Sequence, residues 1–421
     1  MFHGILIKLF GIYKIMIHQK RRLSLLNQLD DDAIVVISTN PQQQRSGNTD
    51  YPFRPNSDFY YLTGFSEPES VAVISHNSYT IFLRARDKQK EIWDGKRLGV
   101  EDAKETLNAD KSYSINLLEE ALLKLTDKAK YIYFDPKSCP IDNTISDIMS
   151  KHEFKSAATY IHEMRLVKDE HEVRLMQRAA DISVSAHELA MKYVRPGLFE
   201  YEVQSIFDGH FKKNNSEHSY SPIVAGGENA CTLHYIENNK KLNKDDLVLI
   251  DAGCEVECYA SDITRTLPVG GTFSEAQTQI YQIVLDAQIA AIESIKPGVL
   301  VNEPHKIASK IITRGLIDLG ILERDGELSQ FYMHGTGHWI GLDVHDVGNY
   351  KVDNNNRVFL SGMVITVEPG IYIGDNDKIN PAYHNTGVRI EDNVLVTDNG
   401  NTVLTGSLVK KVKDIESIMN N

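Results

Sequence analysis

The 421-residue sequence is 42% hydrophobic and 24% charged, a globular composition that fills two or three domains at roughly 150 residues each. Lys+Arg 45 against Asp+Glu 58 leaves a net charge of −13. Binding through phosphate neutralisation needs the opposite sign, so nucleic acid is excluded as a partner.

The cysteines Cys139, Cys231, Cys254 and Cys258 form no CxxC pair. That excludes a disulfide scaffold and a thiolate zinc site and fits a reducing, cytoplasmic setting. Residues Met1–Lys20 are apolar but are interrupted by Lys8 and Lys14, and they run into His18-Gln19-Lys20-Arg21-Arg22. Neither the unbroken apolar core nor the small-residue cleavage site of a signal peptide is present. The run also falls short of the roughly 18–20 apolar residues that span a bilayer, so no membrane partner is expected. Met16 precedes an expected helix, Gln19–Leu29, and Met1–Ile15 reads either as native chain or as a start-codon extension. Residues 1–18 are expected to be a dispensable N-terminal extension.

From residue 31, short β-rich runs alternate with helical periodicity. Ala33–Ser38, Val71–Ser75, Thr80–Leu83 and Tyr131–Asp135 are expected strands, and Ile115–Leu125 is an expected amphipathic helix. A long loop rich in Asn, Pro, Gln and aromatic residues, Asn40–Gly64, separates the first two strands. Glu91-Ile92-Trp93-Asp94-Gly95-Lys96-Arg97 reads as a loop that exposes a tryptophan among charges, or else folds it back onto its own domain. Residues 19–166 are therefore expected to form an α/β N-terminal domain. A long helix, Asp169–Tyr193, with i, i+4 charge pairs opens a second domain, 167–421.

This second domain repeats itself in outline. The first unit has a helix ending at Arg195-Pro196-Gly197-Leu198, a second helix Tyr201–Lys213, and strands near Ser219–Ala225, Leu247–Ala252 and Asp262–Pro268. The second unit has the helix Ser274–Ile295 ending at Lys296-Pro297-Gly298-Val299, then a helix Glu303–Leu319. Strands near His338–Val344, Met363–Glu368 and Gly387–Val396 follow. Two such units in tandem predict a pseudo-twofold α+β domain with helices covering one side of its sheet surface.

Carboxylates sit at the ends of apolar strands in this domain. Leu247-Val248-Leu249-Ile250 ends in Asp251, and Asp262 follows eleven residues later across a turn at Cys254–Cys258. Val364-Ile365-Thr366-Val367 ends in Glu368, and period-two alternation puts Arg389 and Glu391 on one face of Val388-Arg389-Ile390-Glu391. One such acid is ordinarily a turn residue. Four of them, two per repeat, repel one another and protonate unless cations compensate them. Two divalent cations carry the matching charge. Three of the fifteen histidines, His334, His338 and His345, lie within twelve residues, and His234 lies in Thr232-Leu233-His234-Tyr235. The spacing is not HExxH. One histidine among four carboxylates makes an oxygen-rich donor set that suits Mn²⁺ better than a thiolate-preferring metal.

These motifs resemble the pita-bread metallopeptidases, specifically the aminopeptidase P branch, over about residues 19 to 412. Tyr51–Ser70 is similar to the N-terminal domain of that branch. The resemblance implies an α/β N-terminal domain and a pita-bread catalytic domain with a pseudo-twofold repeat. It also implies hydrolysis of the N-terminal Xaa-Pro bond by a hydroxide bridged between two metals. The implied ligands are Asp251, Asp262, His338, Glu368 and Glu391, with Asp262 and Glu391 bridging and Glu368 doubling as proton acceptor. The substrate's α-amine is implied to bind the metal near Asp251. His234 and His345 are implied to contact the substrate and stabilise the tetrahedral intermediate. His334 is assigned to the proline pocket, and Tyr372 and Arg389 to the pocket or, alternatively, to sheet packing. Bacterial relatives are commonly oligomeric, so a homo-oligomer, dimer or tetramer, is expected. The N-terminal domain would support that assembly and restrict access to the metals.

An Xaa-Pro bond needs a dedicated site because proline nitrogen carries no hydrogen and its ring fixes φ near −65°. Prolidase, a dipeptidase on the same architecture, is the close alternative, since Arg389 serves either purpose; Tyr51–Ser70 favours the aminopeptidase. Methionine aminopeptidase usually lacks an N-terminal domain of this size. A metal-free binding module of the same fold would require damaged ligands.

Overall fold

The computed structural model describes residues 15–127, 129–134, 153–324 and 327–421. Two compact units divide the chain after Arg165. In the first, a six-stranded mixed sheet has the order Lys111–Ser114, Ser78–Leu83, Val71–Ser75, Ala33–Ser38, Tyr131–Tyr133, Glu153–Lys155. The three middle antiparallel strands carry apolar runs, Ala33–Ile37, Val71–Ile74 and Ile81–Leu83, as a sheet covered on both faces demands. The outer pairings are parallel. Val36, Val73, Phe82, Leu122 and Ile132 form one apolar cluster of this core.

Several expectations for this unit are corrected. A helix occupies 15–26, so the segment expected to be dispensable overlaps packed structure: Ile17 and His18 are buried, and His18 Nδ1 pairs with Tyr61 O at 3.0 Å. Residues 1–14, Cys139 and the end of the expected strand at Asp135 lie outside the described residues. The expected loop Asn40–Gly64 contains a helix, Ser57–Thr63. Asn56 caps it by accepting from Phe59 N, Gly64 closes it at φ 67°, and Phe59, Tyr60, Tyr61 and Leu62 are all buried. The stretch around Trp93 is partly a helix too, Lys88–Asp94, which buries none of its residues. Trp93 is 87% exposed and Ile92 79%.

The second unit carries the repeat. Helix Glu170–Tyr193 starts at a capping box made by Asp169 and Glu172, and helix Glu275–Ser294 at one made by Ser274 and Gln277. Each gives way to a Pro-Gly pair, with Gly197 at φ 95° and Gly298 at φ 84°, a left-handed turn that glycine enters without steric cost. Helices Glu200–Lys213 and Glu303–Asp318 follow. Each repeat then forms a three-stranded antiparallel sheet. The first runs Ile223–Gly226, Leu247–Asp251, Thr264–Pro268; the second runs Val364–Val367, Asp392–Thr397, Gly400–Val403.

The halves are fastened where Glu391 N donates to Thr264 O and Asn393 Nδ2 donates to Asp262 O. Arg265, with no exposed surface, donates to Glu391 O and to Asp392 Oδ1 across the same seam. Burial alone would raise Asp392, but Arg265 and Lys410 overcome it and bring its carboxyl down to about 2. Two expected strands are corrected here. His338–Val344 is irregular, joined to the sheet by a single bridge from Trp339 to Ile365. Gly387–Val396 is two strands, Thr386–Arg389 and Asp392–Thr397, parted at Ile390-Glu391. That break turns Glu391 from sheet pairing toward the first repeat.

Candidate active site

A cavity of about 310 Å³ lies where the two repeats meet. Asp251, Asp262, His338, Glu368 and Glu391 all line it, together with His234, His334, His345 and Arg389. Strand geometry explains the convergence. Asp251 ends the central strand of its sheet, opposite Thr264, and Asp262 precedes the neighbouring strand. Glu368 follows strand Val364–Val367, and its N–H is held by Thr336 O at 2.7 Å.

The metal-ligating atoms of Asp262, His338 and Glu391 lie within 4.8 Å of one another. His338 Nε2 faces Asp262 Oδ2 at 3.4 Å and Glu368 Oε1 at 3.5 Å. Its Nδ1 lies 3.0 Å from Trp339 O, an N–H···O=C bond that leaves Nε2 for a cation. Asp251 is held at both oxygens, by Tyr220 O–H at 2.6 Å and by Arg389 Nη2 at 2.6 Å. Glu391 Oε2 accepts from Thr264 Oγ1 at 2.8 Å. Asp262 Oδ1 is buried without a hydrogen-bond partner among the described residues.

The electrostatics are those of acids crowded together without enough counter-charge. Burial pushes Asp251 up to about 6, the charge of Asp262 adding to it while Arg389 opposes. Burial raises Glu368 to about 7, with His338 and Arg389 pulling the other way. Glu391 is driven well above the carboxylate range by burial and by Asp262, Glu368 and Asp251 together. For His338 burial works against the cation, yet Asp262 and Glu368 prevail and lift it to about 9. Asp262 goes down, because the hydrogen bond and charge of His338 outweigh its burial. The cluster thus takes up protons for want of other positive charge. Divalent ions would supply that charge, and the orphaned Asp262 oxygen, the free face of His338 and the oxygen-rich set fit them.

His234 and His345 are exposed at the cavity, outside the tight three-ligand group. The His345 ring stands 4.1 Å from that of His338, centroid to centroid. Burial and the neighbouring His338 lower His345 and favour its neutral form. Tyr372 does not line the cavity; it stands behind it. Its hydroxyl accepts from Arg389 Nη1 at 3.0 Å and sits 2.8 Å from His334 Nε2. His334 Nδ1 lies 2.8 Å from Gly335 O, so Nδ1 is the protonated nitrogen and Nε2 accepts from Tyr372. Burial and Arg389 lower His334 to about 4 and keep it neutral.

Arg389 is not free to receive a substrate carboxylate. Its Nε donates to Thr264, Nη1 to Tyr372 and Nη2 to Asp251. Two contributors escaped the sequence reading. Thr264 carried a signal, since period two from Asp262 places it on the same face. Tyr220 carried none: the strand expected near Ser219–Ala225 begins only at Ile223, and Tyr220 lies in the irregular stretch before it, whose path tertiary packing fixes.

Comparison with known proteins identifies the family. Residues 174–398 match the model of metallopeptidase family M24, and residues 18–133 match that of the aminopeptidase P N-terminal domain. The chain is 43% identical to the Xaa-Pro aminopeptidase of Haemophilus influenzae, covering 96% of each chain. It is 40% identical to that of Escherichia coli, over 95% of this chain and 97% of the other. Among solved structures, a Pseudomonas aeruginosa aminopeptidase superposes with a TM-score of 0.93 at 40% identity, covering 96% of this chain and 97% of that one. Zn-substituted Escherichia coli aminopeptidase P in complex with product gives a TM-score of 0.93 at 38% identity, covering 96% and 98%.

Proposed function

The chain belongs to metallopeptidase family M24 and is a metal-dependent aminopeptidase, and we propose that the bond it cuts joins an N-terminal residue to a following proline. The observation that carries this reading is the meeting of five potential ligands, two from one repeat and three from the other, on one cavity.

Asp262 and Glu391 would bridge two ions, with Asp251 on one side and His338 and Glu368 on the other. Bound there, two divalent ions supply Lewis acidity and make water acidic enough to attack at neutral pH. Mn²⁺ is the proposed metal, since four carboxylates and one imidazole form a hard donor set. The remaining work belongs to the chain. Glu368 takes the proton of the attacking water at Oε2, the oxygen 3.8 Å from His334 Nδ1. Arg389 and Tyr220 hold Asp251 ionised by charge and hydrogen bond against the cost of its burial. His234 and His345 donate to the carbonyl oxygen as it gains charge. His334, oriented by Tyr372 and kept neutral by burial and Arg389, forms an uncharged wall on which a proline ring can pack.

The engagement of all three Arg389 nitrogens favours the aminopeptidase over a dipeptidase, which needs a free cation close to the proline. The expected N-terminal domain and its catalytic partner are proposed as functional units with the division near residue 166, and assembly into a homo-oligomer through the exposed Ile92 and Trp93 is proposed as well. A cytoplasmic setting is proposed on the cysteine spacing of the sequence, which holds no CxxC pair.

The experiment is metal removal and return. Chelated protein should release no alanine from Ala-Pro-Ala, and added Mn²⁺ should restore release together with bound metal by elemental analysis. Full activity in the chelated, metal-free protein would contradict the reading.

A further inference from the structure

Gly335, Thr336 and Gly337 join the pocket residue His334 to the ligand His338. The two glycines line the catalytic cavity on one side and a second cavity of about 240 Å³ on the other. Neither offers a side chain to fix the segment. At Gly337 none would fit, since a Cβ there would stand 1.9 Å from Thr366 O.

Thr336 is different. Only 4% exposed, it lines the second cavity and not the first. Its hydroxyl meets the hydroxyl of buried Tyr332, and it lies 2.9 Å from Nδ1 of His305 on helix Glu303–Asp318. The arrangement that satisfies every donor runs in one direction: Tyr332 O–H donates to Thr336 Oγ1, and Thr336 donates to an unprotonated His305 Nδ1. On its other side Thr336 belongs to a two-rung ladder. Glu368 N–H donates to Thr336 O at 2.7 Å, and Thr366 N–H donates to His338 O at 2.9 Å.

We propose that Thr336 is a positioning residue: its hydroxyl, held between Tyr332 and His305, fixes the glycine-flanked segment, and its carbonyl in turn fixes the backbone of Glu368. The clamp holds His338 and Glu368 in register as a pair, from the side away from the substrate. This rests on the reading of those two residues as ligands of one ion.

Mn²⁺ titration by calorimetry tests it without reference to peptide cleavage. Partners of this outer kind are worth about 10–100-fold in metal affinity, so Thr336→Val should weaken one Mn²⁺ about tenfold or more. Thr336→Ser, which keeps the hydroxyl, should stay within about twofold of the unmodified chain. His305→Ala, at a position exposed on helix Glu303–Asp318, should give an intermediate loss and serves if Thr336→Val fails to fold. Unchanged affinity in Thr336→Val or in His305→Ala overturns the proposal, as does a Thr336→Ser variant as weak as Thr336→Val. An unmodified chain that binds no Mn²⁺ overturns the metal reading itself and takes this proposal with it.

Discussion

Arg389 Nη2 stands 2.6 Å from Asp251 Oδ2, both groups buried and each drawn from a different repeat. The pair spans the pseudo-twofold seam and ties the end of one sheet to the other half. Removing one partner of a buried pair leaves an uncompensated charge and costs about 3–5 kcal/mol. Arg389→Met should therefore lower the Tm of the metal-free protein, and Arg389→Met/Asp251→Asn should be no less stable than the single variant. Additive losses in that cycle would show that the two residues act independently.

The crowded acids make a prediction about pH. Asp251 at about 6, Glu368 at about 7 and Glu391 well above its ordinary value hold protons in the folded state that the unfolded chain releases near pH 4. His338, raised to about 9, contributes stability that is complete below its unfolded value near 6.5 and fades as pH rises through the folded one. All four terms have the same sign: the folded state binds more protons, so stability falls as pH rises. Below about pH 6.5 the lowered histidines His334 and His187 oppose this trend, so metal-free protein should lose Tm steadily from about pH 7 to 9. Metal-loaded protein should show a flatter profile, because the ions replace those protons. A metal-free Tm that rises over this window would contradict the assignment of these shifts.

Ligands and substrate donors should separate cleanly on substitution. Asp262→Asn and Glu391→Ala should retain the far-UV spectrum of the unmodified chain, lose metal, and keep less than about a tenth of kcat, the loss being several kcal/mol. His345→Ala and His234→Ala should bind metal in full and lose on the order of 10²–10³ in kcat, the usual worth of a positioned donor. Elemental analysis decides between the classes. Metal loss in His345→Ala would make that residue a ligand.

Much of this site was legible in the sequence, and the reason is local. A carboxylate at the end of an apolar strand announces itself, and the repeated Pro-Gly turns revealed the two halves before any coordinates did. Strands Ala33–Ser38 and Val71–Ser75 were equally plain, since a short continuous run of β-branched and apolar residues needs no tertiary partner to be recognised. What stayed hidden depends on packing between distant segments. Helix Ser57–Thr63 reads as a loop because its aromatics and flanking prolines mask a cap that is visible only once Asn56 meets Phe59 N. His338–Val344 reads as a strand because Trp, Ile and Val favour one, yet its glycines let it lie across the site instead. Arg389 offered two roles on paper; the three acceptors that occupy it come from Thr264, Tyr372 and Asp251, brought together from three separate strands by packing.

The central claim, cleavage ahead of proline in chains longer than a dipeptide, rests most directly on one comparison. The kcat/KM for Ala-Pro-Ala and a longer Ala-Pro peptide is measured against that for Ala-Pro under identical Mn²⁺ loading. With Arg389 already engaged and no other Lys or Arg among the described residues that line the cavity, the longer peptides should be cleaved well and the dipeptide poorly or not at all. A dipeptide preferred tenfold or more would make this protein a prolidase.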